Sequence, residues 1–323
     1  MLSLHTDSPP LARADVLAAA RGLAGTLVRT PVLHSAGIDR LAGREVWLKA
    51  ENLQRAGSYK LRGALRAVGR VAGERSFPGV VAQSTGNHGI AVAVAANQFG
   101  LPATVVLPED APATKLAAIR QAGAEVVLAG TTLADRVGRV AEIRARTGYA
   151  VVDAYDNPDV ISGQGTATLE LIEEVPRLRS VVIPVGGGGG IAGACLATMD
   201  TGIQVYGVEP VGCDSLTRSL ARGERTPVAP CTTLADGLKP STVGELPFAI
   251  GRRHITEMIT VDDDEIAGAL RSALFHAKVL LEPSAAAGLA GVLKHAVPGP
   301  VGVVLTGGNV DPAVLAGIMN GDK

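Results

Sequence analysis

Only three cysteines occur in the 323 residues, Cys195, Cys213 and Cys231, odd in number, widely spaced and without a CxxC pair. That pattern suggests neither a disulfide framework nor a zinc site, and reduced thiols are expected. Charge is also scarce. Charged residues make up 19% of the chain and the formal net charge is -1, so there is no bulk attraction for nucleic acid. The six histidines form no HExxH or similar cluster, and only His88 has an informative neighbourhood. No apolar run is long enough to span a bilayer. The longest, residues 90–108, is interrupted by Asn97, Gln98 and Pro102 and reads as a buried helix followed by a strand. The N-terminal MLSLHTDSPPLARAD has no basic region followed by an apolar stretch, so no signal peptide and no membrane partner are expected, and the reading is cytoplasmic.

What the chain does have is glycine, 40 residues of it, and an apolar fraction of 47%, a composition that buries a sizeable core. Short β-branched runs precede helix-like stretches: VVAQS, ATVVLP, AEVVLAG, YAVVDAY, SVVIPV, QVYGVEP and VGVVLT. Strands this apolar are covered on both faces, which predicts a doubly wound α/β architecture with parallel sheets. Glycine and proline punctuate the strand ends, where open α/β sheets place their ligand sites. Three ends stand out, at residues 84–89, 186–190 and 306–309.

The second of these, PVGGGGGIAG, exposes backbone N–H groups at a helix start with no side chains in the way, a cradle for phosphate. Gly188, Gly190 and Gly193 also satisfy GxGxxG, and Glu209 lies near the distance of a ribose-binding acid, so a nicotinamide-dependent oxidoreductase is a competing reading. In STGNHG the hydroxyls of Ser84 and Thr85, the amide of Asn87 and free N–H groups suit a small carboxylate, although a capped strand-to-helix turn has the same signature. In VGVVLTGGNVD, Thr306 taken alone is a turn former. The segment AGSYKLRGA places Lys60 in the first turn of a helix, with Ser58 as N-cap and Leu61, Leu65 and Val68 at helical spacing. The positive helix end and Arg62 would both disfavour the ammonium form, and a neutral amine is what Schiff-base chemistry needs. Without further context, a solvated surface lysine is the commoner case.

Taken in order, KAENLQRAGSYKLRGA, STGNHG, DNPDVISGQGT, PVGGGGGIAG, GVEP, LADGLKP, EPSAAAG and LTGGNVD resemble the pyridoxal-phosphate enzymes of the tryptophan synthase β-subunit-like fold, and most closely the serine/threonine dehydratase and serine racemase family. The match covers about residues 30–311. It implies two doubly wound α/β domains of fold type II: residues 1–75 and 154–323 as a large cofactor-binding domain, and 76–153 as a small domain closing over the active site. By the same resemblance Lys60 carries the cofactor and takes the Cα proton. Gly186, Gly187, Gly188, Gly189 and Gly190 hold the phosphate, Asn87 bonds the ring's phenolic oxygen, Tyr59 lies against the ring and Thr306 faces the pyridine nitrogen. Ser84, Thr85 and His88 bind the substrate carboxylate, and Glu282 sits at the site's rim. A neutral hydroxyl at Thr306 makes the ring a weaker electron sink than an aspartate would. The implied reaction is therefore loss of water from serine, threonine or a related β-hydroxy amino acid, giving a 2-oxo acid and ammonia. Relatives are commonly dimers or tetramers, so a homo-oligomer is expected.

Several departures qualify this. Many members read SSGNH, where the second serine is the opposite-face base of the racemases, and here that position is Thr85, whose χ1 is stiff. Racemisation thus ranks below elimination. The family's divalent-cation site would use Glu209, but Ser215 stands where the second carboxylate belongs, with Asp214 one residue away. Arg136 aligns loosely with a substrate-facing arginine of some racemase-like members. A solvated helix arginine is the favoured reading, and a site-facing one would select a second carboxylate, as in 3-hydroxyaspartate. The chain ends soon after LTGGNVD, so no feedback domain of the biosynthetic dehydratases is expected.

Overall fold

In the computed structural model, which describes residues 11–84, 86–111 and 113–321, the chain forms two separate sheets. The strands are β1 (Val32–His34), β2 (Val46–Lys49), β3 (Val80–Gln83), β4 (Ala103–Leu107), β5 (Glu125–Leu128), β6 (Ala150–Val151), β7 (Ser180–Pro184), β8 (Gln204–Pro210), β9 (Ile255–Val261) and β10 (Val301–Val304). Six of them order as β1-β2-β10-β7-β8-β9 and four as β5-β4-β3-β6. Every pairing is parallel except that of β1 with β2. All residues of β4, β7 and β10 are buried, as expected for strands that alternate with covering helices. β1, β2 and β9 were not among the runs singled out from the sequence. β1 and β2 are three and four residues long, and β9 is half exposed, so none carries a strong apolar signature.

Residues 90–108 form the end of the Asn87–Gln98 helix and then β4, so the interrupted apolar run is indeed helix followed by strand. No helix among the described residues is long and apolar enough to cross a membrane.

Three helices meet with almost no side chain between them, and this contact sets the distance between the two most informative segments. A Cβ on Gly163 would come 2.6 Å from the Arg62 carbonyl oxygen, and one on Gly165 would come 2.6 Å from the Gly193 carbonyl oxygen. The Lys60–Glu74 helix and the Gly189–Thr198 helix therefore both press their backbones against the Pro158–Glu174 helix. Such close approach is open only to glycine.

A buried ionic cluster fastens the same region. Arg62 donates from Nε and Nη2 to Glu51 at 2.7 Å each, and from Nη1 and Nη2 to Glu170 at 2.7 and 2.8 Å. Lys49 Nζ adds a 2.6 Å bond to Glu170. Arg62 is thus committed away from Lys60 and does not act on its amine as the sequence alone suggested.

The expectation for the cysteines is also corrected. Cys213 and Cys231 form a disulfide, with Cα atoms 5.6 Å apart, while Cys195 is free and buried. Cys213 lies in the turn after β8, and Cys231 lies in the loop beyond the Ser215–Arg222 helix, which brings the chain back. Eighteen residues separate the pair, a spacing that signals nothing until the intervening helix folds.

Candidate active site

The helix at Lys60 starts at that residue, with Tyr59 rather than Ser58 in the N-cap position. Ser58 instead pairs its backbone with Gly307, and the Tyr59 N–H donates to the Thr306 carbonyl at 2.9 Å. The segment before Lys60 is thereby stitched to the end of β10. Lys60 Nζ is half-buried, donates to the Ala154 carbonyl at 3.3 Å and lies 5.4 Å from the centre of the Tyr59 ring. Burial pulls its pKa down to about 8 against the opposing charges of Asp153 and Glu282.

The end of β3 reaches the same place. Asn87 opens its helix and donates from Nδ2 to Glu282 Oε1 at 2.6 Å, while its Oδ1 accepts from Asn309 Nδ2 at 2.8 Å. Asn309 is held by a second bond, to the Ala56 carbonyl. These contacts fix which way the Asn87 amide faces. Glu282 is buried rather than on a rim, and burial, with Asp236 nearby, pushes its carboxyl up to about 8. A Cβ on Gly307 would collide with Glu282 Oε1 and come 3.1 Å from Ser58 Cβ, so a larger residue there would displace the Glu282 carboxyl.

Ser84 turns its hydroxyl into its own loop, accepting from the Gly86 and Gly89 N–H groups at 3.0 and 2.9 Å. His88 is buried, with Nε2 on the Val152 carbonyl at 2.9 Å and Nδ1 without a partner. Burial, with the Lys60 charge, holds it down to about 4, so it is a neutral imidazole. Thr85 lies outside the described residues.

At the end of β7 the glycines enter the Gly189–Thr198 helix, with Gly188 in the left-handed region at φ 93° and no side chain capping the helix. A Cβ on Gly187 would collide with the Tyr155 ring, and one on Gly190 would come 2.6 Å from the Tyr59 hydroxyl oxygen. The glycine run is therefore walled by two tyrosines, with its N–H groups free of side-chain cover.

The sequence description "Pyridoxal-phosphate dependent enzyme" matches residues 23–307 of this chain. The chain belongs to the pyridoxal-phosphate-dependent enzyme family. The L-threo-3-hydroxyaspartate ammonia-lyase of Saccharomyces cerevisiae is 38% identical over 96% of each chain. The L-threonine ammonia-lyase of Thermotoga maritima is 39% identical, over 95% of this chain and 77% of that one. The crystal structure of serine racemase from Dictyostelium discoideum is 38% identical, covers 93% of this chain and 99% of its own, and superposes with a TM-score of 0.87. The fold is that of the fold type II pyridoxal-phosphate enzymes.

The residues present fit that cofactor. An amine with a lowered pKa, a glycine cradle and an oriented amide stand at three helix starts, and the unpartnered Nδ1 of His88 is polar capacity still to be used. Two sequence expectations move. Glu209 is buried, accepting from the Leu216 and Thr217 N–H groups at 2.9 Å each and from the Thr217 hydroxyl at 2.7 Å, so it caps the Ser215–Arg222 helix from across a turn. Burial raises it to about 7. No cluster of three or more metal-ligating side chains occurs among the described residues. Arg136 is the reverse case. Although it lies on the Leu133–Thr147 helix, it is only 8% exposed and reaches Gln83 at the end of β3, at 3.5 Å.

Sequence reasoning missed Asp153, Tyr155, Asn309, Asp236 and Lys115. Asp153 and Tyr155 lie in the run YAVVDAY itself, just past the strand Ala150–Val151, and Asn309 ends LTGGN, so a rule of searching every strand end would have found them. Lys115 and Asp236 form an ion pair between the Ala113–Gln121 helix and the turn at 236–238. No local pattern announces a pair so far apart in the chain.

Proposed function

We propose that this chain is an ammonia-lyase that removes water from a β-hydroxy amino acid. The observation that carries the reading is the backbone bond from the Tyr59 N–H to the Thr306 carbonyl, which ties the segment that opens on Lys60, whose pKa is lowered, to a strand end bearing a neutral hydroxyl rather than a carboxylate. Pyridoxal phosphate, when bound, supplies the electron sink for the carbanion at Cα. Lys60, as a neutral amine, takes the Cα proton; the β-hydroxyl takes up one proton and leaves as water, and the released enamine is hydrolysed by one water to the 2-oxo acid and ammonia. Gly186 to Gly190 would hold the phosphate, Tyr59 would back the ring, and Asn87, its amide fixed by Glu282 and Asn309, would offer its remaining N–H to the phenolic oxygen. The backbone N–H groups of Asn87 and His88, at a helix start with no side-chain cap, receive the substrate carboxylate. Residues 1–75 and 154–323 act as the cofactor-holding domain and 76–153 as the part that closes on it. Purified protein should release 2-oxo acid from at least one of serine, threonine and 3-hydroxyaspartate. Release from none of them, with the cofactor loaded, removes the reading.

Arg136 supports a sharper version, in which the substrate carries a second carboxylate. Its guanidinium has five donors but makes only two long contacts, to Gln83 at 3.5 Å and to the Thr131 carbonyl at 3.4 Å, and no ion pair among the described residues. Asp110 and Asp135 act only at longer range, and burial lowers its pKa. A largely buried, unpaired guanidinium favours a planar anion bound by two parallel hydrogen bonds. Two of the similar proteins are L-threo-3-hydroxyaspartate ammonia-lyases. Arg136→Gln should cut kcat/KM for 3-hydroxyaspartate roughly 10- to 100-fold relative to that for serine, the value of a charge-assisted hydrogen bond. An unchanged ratio would return Arg136 to a structural role.

The lowered pKa of Lys60 has its own signature. Because only the neutral amine attacks a carbonyl, capture of pyridoxal phosphate by the apoprotein should speed up about tenfold per pH unit below about 8 and level off above it. Stopped-flow absorbance reads this directly, and an ordinary exposed lysine would still be gaining rate near pH 10, roughly where such an amine titrates.

A further inference from the structure

Beneath the glycine run lies a buried amide for which the proposed chemistry has no use. Gln164 belongs to the Pro158–Glu174 helix, is 2% exposed, and precedes Gly165, whose contact with Gly193 brings the two helices together. That contact sets Gln164 under the start of the Gly189–Thr198 helix, where a Cβ on Gly189 would come 3.0 Å from Gln164 Oε1. Neither Nε2 nor Oε1 has a hydrogen-bond partner among the described residues. An unpaired buried polar atom is costly, and a side chain of similar volume without polar atoms would fill the space more cheaply. Gln164 therefore does not serve packing alone. Its immediate neighbour is a helix N-terminus with no side-chain cap, already suited to an anion.

We propose that Gln164 is a positioning residue of the phosphate site, its amide acquiring hydrogen bonds, through an ordered water, when the glycine run closes on a phosphate ester. The inference rests on the assignment of Gly186 to Gly190 to the phosphate. It has a consequence opposite in sign to that of a structural glutamine. Removing the amide relieves the apoprotein of two unpaired atoms yet takes a bond away from the loaded one.

The test compares apoproteins of wild type, Gln164→Met and Gln164→Leu. Thermal melting reads the empty protein, and absorbance titrations with pyridoxal phosphate and with pyridoxal, which lacks the phosphate, read the site. The expected result is an apoprotein melting temperature equal to or above wild type, a Kd for pyridoxal phosphate raised about tenfold, and a Kd for pyridoxal unchanged. A melting temperature lowered by several degrees with both Kd values shifted together overturns the proposal, as does an unchanged Kd for the phosphate ester. Failure of both variants to fold also overturns it, since the amide would then be structural. A wild type that binds pyridoxal as tightly as its phosphate would remove the glycine-run assignment, and this proposal with it, before any variant is compared.

Discussion

Lys60→Ala protein is expected to lose at least about 1,000-fold in kcat, because the substitution removes both the amine that holds the cofactor and the base that takes the Cα proton, and a positioned base alone contributes roughly 100- to 10,000-fold. The visible band of the lysine-bound cofactor should disappear with it. Borohydride should fix the cofactor onto wild-type Lys60 and onto no residue of the variant. Folding should survive, since Nζ makes one long bond to the Ala154 carbonyl and its partial burial disfavours its own charge. Retention of both band and turnover by the variant would defeat the assignment. Lys60→Arg separates the two losses from mere loss of charge: a guanidinium keeps a cation in place but is neither nucleophile nor base near neutral pH, so it should be as inactive as alanine.

Glu51→Ala is expected to cost about 3–5 kcal/mol of stability, the usual penalty for leaving a buried charge uncompensated. Arg62 and Glu51 are both 0% exposed, and Glu51 accepts two of the four carboxylate bonds that Arg62 makes. Glu170 is partly exposed and would be left as the sole anion for both Arg62 and Lys49. Urea unfolding of the apoprotein measures the loss. The double change Glu51→Met with Arg62→Met should recover much of it, because an apolar pair of similar volume carries no desolvation penalty. A single Glu51 variant within about 1 kcal/mol of wild type would show that the cluster contributes little. Because Arg62 is two residues from Lys60, a destabilised cluster should also loosen cofactor binding.

Much of this protein is legible in its sequence. Glycine runs, hydroxyl and asparagine turns and apolar strands are local signals: they record what the backbone must do within a few residues, and their order along the chain is specific to one family. The alternation of strand and helix, the cradle at 186–190, the loop around Asn87 and the position of Lys60 in its helix's first turn all come from such signals. Burial and partnership are different in kind, since they depend on segments that meet only after folding. Arg136 looked like any helix arginine until its helix packed it against Gln83, and Glu282 looked like a rim residue until the turn at Gly307 and the Asn87 amide closed on it. Cys213 and Cys231 became a disulfide only because the helix between them turns the chain back. The helix dipole and Arg62 were the sequence's reasons for a neutral Lys60. In the fold Arg62 is spoken for by two carboxylates, and desolvation is the larger cause. The family and the cofactor could be read from the sequence alone, because they are written in short-range pattern, and the same pattern pointed to Lys60 as the candidate lysine. Which charges are paired and which are left open is settled only by tertiary structure, where solvent is excluded and distant residues become neighbours.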